Sequence, residues 1–367
     1  MSGLRRCWVV GVLAMGMVQS TSEKEMLYSR QRSIESELAD ASRAISAAES
    51  ETTTIDATLG TMSTRLAAVR SHGYAALAHL DKTIELLTKK WADVGPAVKQ
   101  SVANNLQPLG AQIRTLQSEV QTLRFEIDQG NLPAAQSLSS RLAGEASSMR
   151  SRTTEEAART TAPVKELAAG IAAVDRDLKI AETTVGLFSQ AAFPMKQGES
   201  PVLAIEGKLM EGEKCHGTLY FTNQRFLFEG QKEVVLEKKL FIVTKKRIDR
   251  SVMFEQPVGA VQDITKGRVG LLAGAGVYVT FRSEVGLPVT PFDVRGWEAD
   301  VITRFYKYIT GGEAERDIAG AHGGAPPSAP TIRLVRCPAC GAPHSGEIYQ
   351  GQTSVKCEYC GSAVAVA

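Results

Sequence analysis

Four cysteines near the C-terminus have the residue type and the spacing of a metal site. They form two Cys-x-x-Cys pairs, Cys337 with Cys340 and Cys357 with Cys360. Two residues between the cysteines of a pair allow both sulfurs to face one metal ion, and two such pairs complete a tetrahedral shell of four thiolates. Because that shell leaves no open position, we expect a structural Zn²⁺ rather than a catalytic one.

The segment that carries these cysteines, residues 333–367, resembles a zinc ribbon. Each cysteine pair is followed by a glycine, Gly341 or Gly361. A segment of about thirty residues buries too little apolar surface to fold without a metal, so metal binding and folding should be coupled. The alternative use of two Cys-x-x-Cys pairs is reversible dithiol chemistry.

The charge of this segment bears on its partner, because zinc ribbons bind nucleic acid or protein. Its basic residues are Arg333, Arg336 and Lys356, and Glu347 and Glu358 offset them. This balance is too neutral to predict a nucleic-acid partner. The whole chain, with 367 residues and a formal net charge of +2, is also not a general polyanion binder. We therefore expect a protein contact, with nucleic-acid association as the alternative.

An aromatic-rich stretch, residues 217–230, lies in the middle of the chain and reads GTLYFTNQRFLFEG. Alternating apolar residues on both sides of the polar TNQR sequence predict a β-hairpin, since asparagine suits a tight turn. Leu219 and Phe221 would share one face of the first strand. Phe226 and Phe228 would share one face of the second. We expect these aromatic residues to form core rather than a ligand site.

The hairpin resembles the opening of a GRAM domain, a relative of the pleckstrin-homology fold. The residues that match are Glu211, Gly217, Leu219, Tyr220, Thr222, Asn223, Arg225 and Phe228. Short alternating strands and a final amphipathic helix extend the likeness over residues 201–310, and the predicted apolar face of that helix has Trp297, Val301, Phe305 and Tyr308. The resemblance implies a small β-barrel capped by a C-terminal helix. It also implies lipid or protein binding at the rim of the barrel.

A cluster of basic residues within this region is the candidate lipid or partner site. Its members are Lys238, Lys239, Lys245, Lys246, Arg247 and Arg250. Anionic membrane surfaces attract such a cluster by about 1 kcal/mol per basic residue. The alternative is a solvated charged loop, because Glu237 and Asp249 are interspersed.

The N-terminal part, residues 21–192, is rich in alanine and serine and predicts long helices. From Ile34 to Val69, apolar or small residues recur at alternating steps of four and three, which is the seam of a coiled coil. Gly73 adds an extra step of four and predicts a stutter in a continuous helix. A narrow seam needs a covering partner, so we expect self-association, with helices folded back within one chain as the alternative.

Breaks in this helical region are predicted where glycine and proline occur together. Gly95-Pro96 predicts a break or turn, and residues 129–133 and 161–163 predict further ends and starts of helices. The region is thus an all-α arrangement of three or four long helices.

The first twenty residues affect the prediction of whether the protein is exported or cytoplasmic. Arg5 and Arg6 precede an apolar run that resembles a secretory signal peptide and is too short to span a bilayer comfortably. An exported coiled-coil protein and a start codon placed too early, with Met17 or Met26 as the true start, are the two alternatives. The paired cysteines favour the cytoplasm, where thiols stay reduced. The basic cluster adds the expectation of peripheral association with a membrane.

No motif for catalysis is present in the sequence: it lacks a nucleophile motif, paired histidines at metal spacing and a phosphate-binding loop. We therefore expect a non-enzymatic, multidomain adaptor. Its predicted parts are a signal-like segment (1–20), a coiled coil (21–192), a GRAM-like domain (201–310), a flexible linker (311–332) and a zinc ribbon (333–367).

Overall fold

The computed structural model describes residues 4–211, 214–239, 242–270, 274–321 and 336–366, apart from positions 344–347, 349, 351, 353 and 358. Only the backbone is described for residues 4–21 and 233–247. The described chain divides into two compact units, each made of separated stretches. One consists of residues 1–61 with 85–173, and the other of residues 62–84 with 174–367.

The N-terminal half is helical, as its apolar spacing predicts. The five helices are α1 (Leu4–Ser71), α2 (His79–Ser101), α3 (Gln107–Gln129), α4 (Leu132–Thr161) and α5 (Lys165–Phe188). A π-helical turn, Val102–Leu106, joins α2 to α3, and a 3₁₀ turn, Ala162–Val164, joins α4 to α5. Over the described residues, no helix contains a stretch long and apolar enough to cross a membrane.

Two predicted features of the helices are wrong. The chain does not break at Gly95-Pro96, because Pro96 is inside α2 and the irregular turn comes later, at Val102–Leu106. The chain does leave the helix at Gly73, where the seam predicts a continuous helix with a stutter. Gly73 has φ +81°, a left-handed conformation that suits glycine and ends α1.

The first unit has a helical core in which the predicted seam is covered within one chain. Leu38, Ala41 and Ile45 of α1 are buried in one cluster with residues of α3 and α4. The α3 members of the cluster are Leu109, Ile113, Leu116, Val120, Leu123 and Ile127. Folding back within the chain therefore supplies the partner that the narrow stripe requires.

The face that α4 contributes to this core contains small and polar residues. Ser139 and Thr153 are fully buried, and within the described part of the unit their hydroxyls have no hydrogen-bond partner. A buried hydroxyl without a partner costs stability. This face is therefore a weak part of the bundle.

The second unit is built on a seven-stranded antiparallel sheet with the order β4-β3-β2-β1-β7-β6-β5. The strands are β1 (Pro201–Leu209), β2 (Cys215–Thr222), β3 (Arg225–Lys239), β4 (Ile242–Pro257), β5 (Val261–Val269), β6 (Gly274–Phe281) and β7 (Thr290–Asp293). The expected closed barrel is not formed by the described strands, since β4 and β5 are edges that do not pair with each other. In the described ladders β4 pairs with β3 and β5 pairs with β6, so the outer edge of each of these two strands is left without a neighbouring strand and the sheet stays open.

The predicted hairpin is formed by β2 and β3, with Leu219 opposite Phe228 and Phe221 opposite Phe226. All four of these side chains are fully buried, and the Phe221 and Phe226 rings stack with centroids 4.7 Å apart. Their role as core is confirmed.

Helix α6 (Gly296–Thr310) follows the sheet and contacts β1, β5 and β6. The buried face includes Ile302, Phe305 and Ile309, whereas Trp297 is 57% exposed. The sequence predicts the amphipathic helix, but the face that it buries is rotated from the predicted one. We call β1–β7 with α6 the sheet module.

The first part of the predicted flexible linker is ordered. Residues Glu313–Ala321 form helix α7, which packs on α6 and buries Ala314 and Ile318. The proline-rich part of that linker, residues 322–332, lies outside the described residues. The C-terminal segment has a short hairpin of β8 (Ser354–Lys356) and β9 (Ala363–Ala365), and we call residues 336–366 the ribbon.

Candidate metal centre and binding surfaces

The four predicted metal ligands come together in the ribbon. The sulfur atoms of Cys337, Cys340, Cys357 and Cys360 all lie within 4.8 Å of one another, and none is in a disulfide. The Sγ atoms of Cys337 and Cys360 are 3.5 Å apart, and those of Cys340 and Cys357 are 3.6 Å apart. Four thiols at these distances form a group that could hold a metal ion.

The backbone around the two cysteine pairs follows one pattern twice. Gly341 N–H donates to the Cys337 carbonyl at 2.8 Å, and Gly361 N–H donates to the Cys357 carbonyl at 2.9 Å. Both glycines have left-handed φ angles, +72° and +74°, so each pair needs the glycine that follows it. This repeated turn accompanies the approach of both sulfurs of each pair to the four-cysteine cluster.

A small apolar core supports the cysteine cluster. Cys337 and Cys357 are buried with Val355 and Val364, and Ile348 packs against them. This core is too small to hold the segment folded by itself, which makes a bound metal the natural source of stability.

The pKa values of two of the four cysteines are shifted in opposite directions by their surroundings. Hydrogen bonding to Ser362 lowers the pKa of Cys360 to about 6. The Ala342 amide favours the thiolate of Cys340, but the neighbouring thiols, first that of Cys360, raise the pKa of Cys340 to about 12. A divalent cation would supply the positive charge that four adjacent thiolates require.

Arg225, one of the hairpin residues that match the GRAM motif, is buried within an ion-pair network. Its guanidinium donates to Glu199 at 2.7 Å and 2.5 Å and to Glu255 at 2.9 Å. The Arg225 and Glu199 side chains are only 4% and 0% exposed. Arg225 therefore joins β3 to the segment that precedes the sheet and is not a free binding residue.

The end of α5 and the segment that follows it cross the outer face of the hairpin, and we call residues 187–200 the strap. Tyr220 OH donates to the Leu187 carbonyl at 3.2 Å, and the buried Glu229 accepts from Ala192 N–H at 2.6 Å. Burial, with the charge of Glu229 second, raises the pKa of Tyr220 to about 12. The strap explains why both faces of β2 are buried.

The predicted lipid or partner site is only partly described. Arg250 donates to the carbonyl and the side-chain oxygen of Gln190 at 2.6 Å and 2.9 Å, so it is anchored to the strap. The side chains of Lys238, Lys239, Lys245, Lys246 and Arg247 lie outside the described residues. Their contribution to binding stays a prediction.

The backbone does show where these basic residues are located. The β2–β3 ladder ends at the pair Gly217 and Gly230, whereas β3 and β4 remain paired as far as Lys239 and Ile242. The last nine residues of β3 form a two-stranded hairpin with β4. At about 3.3 Å per residue, this hairpin is about 30 Å long. We call residues 231–250 the arm, and the four lysines of the predicted site, Lys238, Lys239, Lys245 and Lys246, are in its outer part.

The connection between α1 and α2 is a contact that the sequence did not predict. Tyr74 is buried in the second unit and donates from its hydroxyl to the Val202 carbonyl of β1 at 3.1 Å. Arg70 donates to the carbonyls of Tyr74, Ala76 and Leu77, and Leu77 has φ +55°, which is rare for a residue with a side chain. The aromatic residue directly after Gly73 was the available signal.

A second unpredicted contact joins the ribbon to the sheet module and to α7 through Gln350. Its carbonyl accepts from Gly259 N–H at 3.1 Å, and its side-chain amide donates to the Asn223 carbonyl at 3.3 Å and to Glu315 at 2.9 Å. A single glutamine between the two cysteine pairs gives no signal of such a role in the sequence.

Comparison with known proteins does not assign the chain to a family. No family model matches the chain, and no curated protein matches it. One solved structure that matches, described as "Autoinhibited Vav1", is 11% identical, with a TM-score of 0.24, over 90% of this chain and 67% of that chain. A likeness at this level carries no argument about fold or function.

Proposed function

We propose that this protein is a non-enzymatic adaptor that binds anionic membrane surfaces through the arm of its sheet module. In this proposal the module is a GRAM or pleckstrin-like domain, and the ribbon holds a structural Zn²⁺. The helical unit serves as a spacer or self-association element.

The order of elements supports the pleckstrin-like assignment. Seven antiparallel strands are followed by an amphipathic helix that packs on the sheet, which is the order that the sequence resemblance implies. Six of the eight matching residues have structural roles that explain the motif. Leu219, Tyr220 and Phe228 form core, and Thr222, Asn223 and Arg225 fix the turn to the strap by hydrogen bonds.

The arm is the observation that carries the membrane proposal. A two-stranded hairpin beyond the rest of a sheet has little support of its own in water, so a surface that it contacts would stabilise it. The sequence places five basic residues between positions 238 and 247 of this arm. A concentration of cations on an extended element suits an anionic lipid surface.

The donor set of the ribbon supports zinc as the metal. Four cysteine sulfurs within 4.8 Å of one another match the soft ligands and the closed four-coordinate shell that Zn²⁺ takes in structural sites. The residues Cys337, Cys340, Cys357 and Cys360 would hold it, and the ion would act by holding the ribbon folded.

Self-association also remains a proposal. The seam from Leu38 to Ile45 is covered by α3 and α4 of the same chain, so a homo-oligomer would have to use another surface. A protein partner for the ribbon likewise remains a proposal.

Co-sedimentation of the full chain with vesicles tests the membrane proposal. We expect binding to vesicles containing phosphatidylserine at low salt. Replacing Lys245, Lys246 and Arg247 with glutamine should weaken that binding by about a hundredfold, since three basic residues contribute about 3 kcal/mol.

The matched control removes the same charge elsewhere. Lys82, Lys89 and Lys90 are exposed on α2, and their replacement with glutamine should leave vesicle binding nearly unchanged. Equal losses in the two triple variants would reject the arm as the binding site, and no binding by the parent chain would reject the proposal altogether.

A further inference from the structure

The ribbon has a contact surface on its own chain. Gln350 lies between the two cysteine pairs and reaches three separate parts of the second unit. These are the β2–β3 turn at Asn223, the β4–β5 connection at Gly259 and helix α7 at Glu315. These three hydrogen bonds are 2.9–3.3 Å long. Through them Gln350 connects elements that are far apart in sequence.

The surface that Gln350 contacts is itself well organised. Val258 N–H donates to the Gln224 carbonyl at 2.8 Å, which joins the β2–β3 turn to the β4–β5 connection. Asn223 accepts from Ser200 N–H at 2.8 Å and donates to the Gly198 carbonyl at 3.3 Å. The ribbon thus contacts the same turn that fixes the strap.

The position of Gln350 depends on the cysteine cluster. Ile348, two residues earlier, packs against the small core formed by Cys337, Cys357 and the ribbon hairpin. Because that core needs a metal to stay folded, loss of the metal would release Ile348 and with it the contacts of Gln350.

We propose that the metal centre is an internal clamp: metal loading holds Gln350 on the surface formed by Asn223, Gly259 and Glu315, and metal loss uncovers that surface. The occupant of this surface is therefore the ribbon of the same chain. The inference rests on the proposed zinc site but not on membrane binding. Coupling of this kind is reciprocal, so the contacts of Gln350 also strengthen metal binding.

Hydrogen exchange on the full chain tests the clamp. Zinc content is measured first, and exchange is then followed in peptides that cover residues 222–226 and 256–262. The zinc-loaded chain should protect the Gly259 amide. Treatment with a chelator should raise the exchange rate of that amide at least tenfold, while peptides from β6 stay protected, and added zinc should restore the slow rate.

A variant measures the reciprocal effect. Gln350→Ala removes the two side-chain bonds and should weaken zinc binding about fivefold or more in competition with a chromogenic chelator. Gln262→Ala, at an exposed position of β5, is the matched control and should leave zinc affinity unchanged.

The outcomes separate the two proposals. A chain that holds no zinc rejects both the metal site and the clamp. A chain that holds zinc but shows the same Gly259 exchange with and without it rejects the clamp alone. Equal zinc affinities for Gln350→Ala and Gln262→Ala would also reject the clamp.

Discussion

At the scale of single residues, Arg225 connects the sheet module to the strap through a buried ion-pair network. It is buried, it neutralises the fully buried Glu199, and it also donates to the Pro194 carbonyl of the strap at 3.0 Å. A buried ion pair adds little compared with an apolar pair, but removal of one member leaves an uncompensated charge.

Substitution Arg225→Met should therefore lower the free energy of unfolding by about 3–5 kcal/mol. Urea denaturation followed by circular dichroism measures this change. Arg268→Met, at an exposed position of β5, provides the control and should change stability by less than about 0.5 kcal/mol. A similar small change for both variants would show that the Arg225 network has no special importance.

The same network predicts how stability depends on pH. Burial opposes the charge of Glu199, but hydrogen bonds from Arg225, the Lys196 amide and Thr222 hold the pKa of Glu199 below its usual value. The pKa of Glu255 is also lowered: burial opposes its charge, while Lys196 and Arg225 stabilise it. The unfolded chain therefore takes up protons at higher pH than the folded chain does.

Stability from these carboxylates should be complete at neutral pH and should be lost as the pH falls below about 5. Glu199→Gln should reduce the loss between neutral and acidic pH, because one of the two shifted groups is absent. Glu206→Gln, at an exposed position of β1, should lose as much stability between neutral and acidic pH as the parent chain does. Identical pH profiles for the parent and Glu199→Gln would contradict this interpretation.

At the scale of elements, the helical bundle has a weak face on α4. Thr153 is fully buried, and its hydroxyl has no partner among the described residues. Valine has the same shape without the hydroxyl, so Thr153→Val should raise the free energy of unfolding by about 1 kcal/mol.

The neighbouring Thr154 provides the control for that substitution. Its hydroxyl is exposed and donates to the Arg150 carbonyl at 2.8 Å, so Thr154→Val should give no gain in stability. Thermal unfolding of the two variants compares them. Destabilisation by Thr153→Val would indicate that this hydroxyl has a partner, such as a bound water.

The elements with strong local patterns were predictable from the sequence. The aromatic hairpin, the amphipathic α6 and the two cysteine pairs each follow from residue spacing, and the structure has all three. Spacing alone did not show which face α6 buries: Val301, expected in the core, is only half-buried, whereas Ile302 is fully buried. That choice depends on the sheet against which the helix packs.

Features that depend on distant contacts were not predictable. Gly73 ends α1 where the seam predicted a stutter, because Tyr74 is buried in the second unit against β1. A proline in α2 did not break the helix, since tertiary packing can override the local preference. The role of Gln350 depends on three partners that are far from it in sequence.

For the chain as a whole, a helical unit is combined with a second unit that carries the arm and the four-cysteine cluster. The arm is the part of the sheet that extends beyond its neighbours, and the ribbon is attached elsewhere, near the β2–β3 turn. The proposed membrane binding and the proposed metal binding would thus use different parts of the second unit. Their effects should be separable by the substitutions at the arm and at Gln350.

The most direct test of membrane binding is the equilibrium binding of the full chain to vesicles of increasing phosphatidylserine content at two salt concentrations. We predict that affinity rises steeply with the fraction of anionic lipid and falls at higher salt, because the screening length shortens from about 10 Å at 0.1 M to about 3 Å at 1 M. Equal binding to neutral and anionic vesicles, or binding that salt does not weaken, would contradict the proposal.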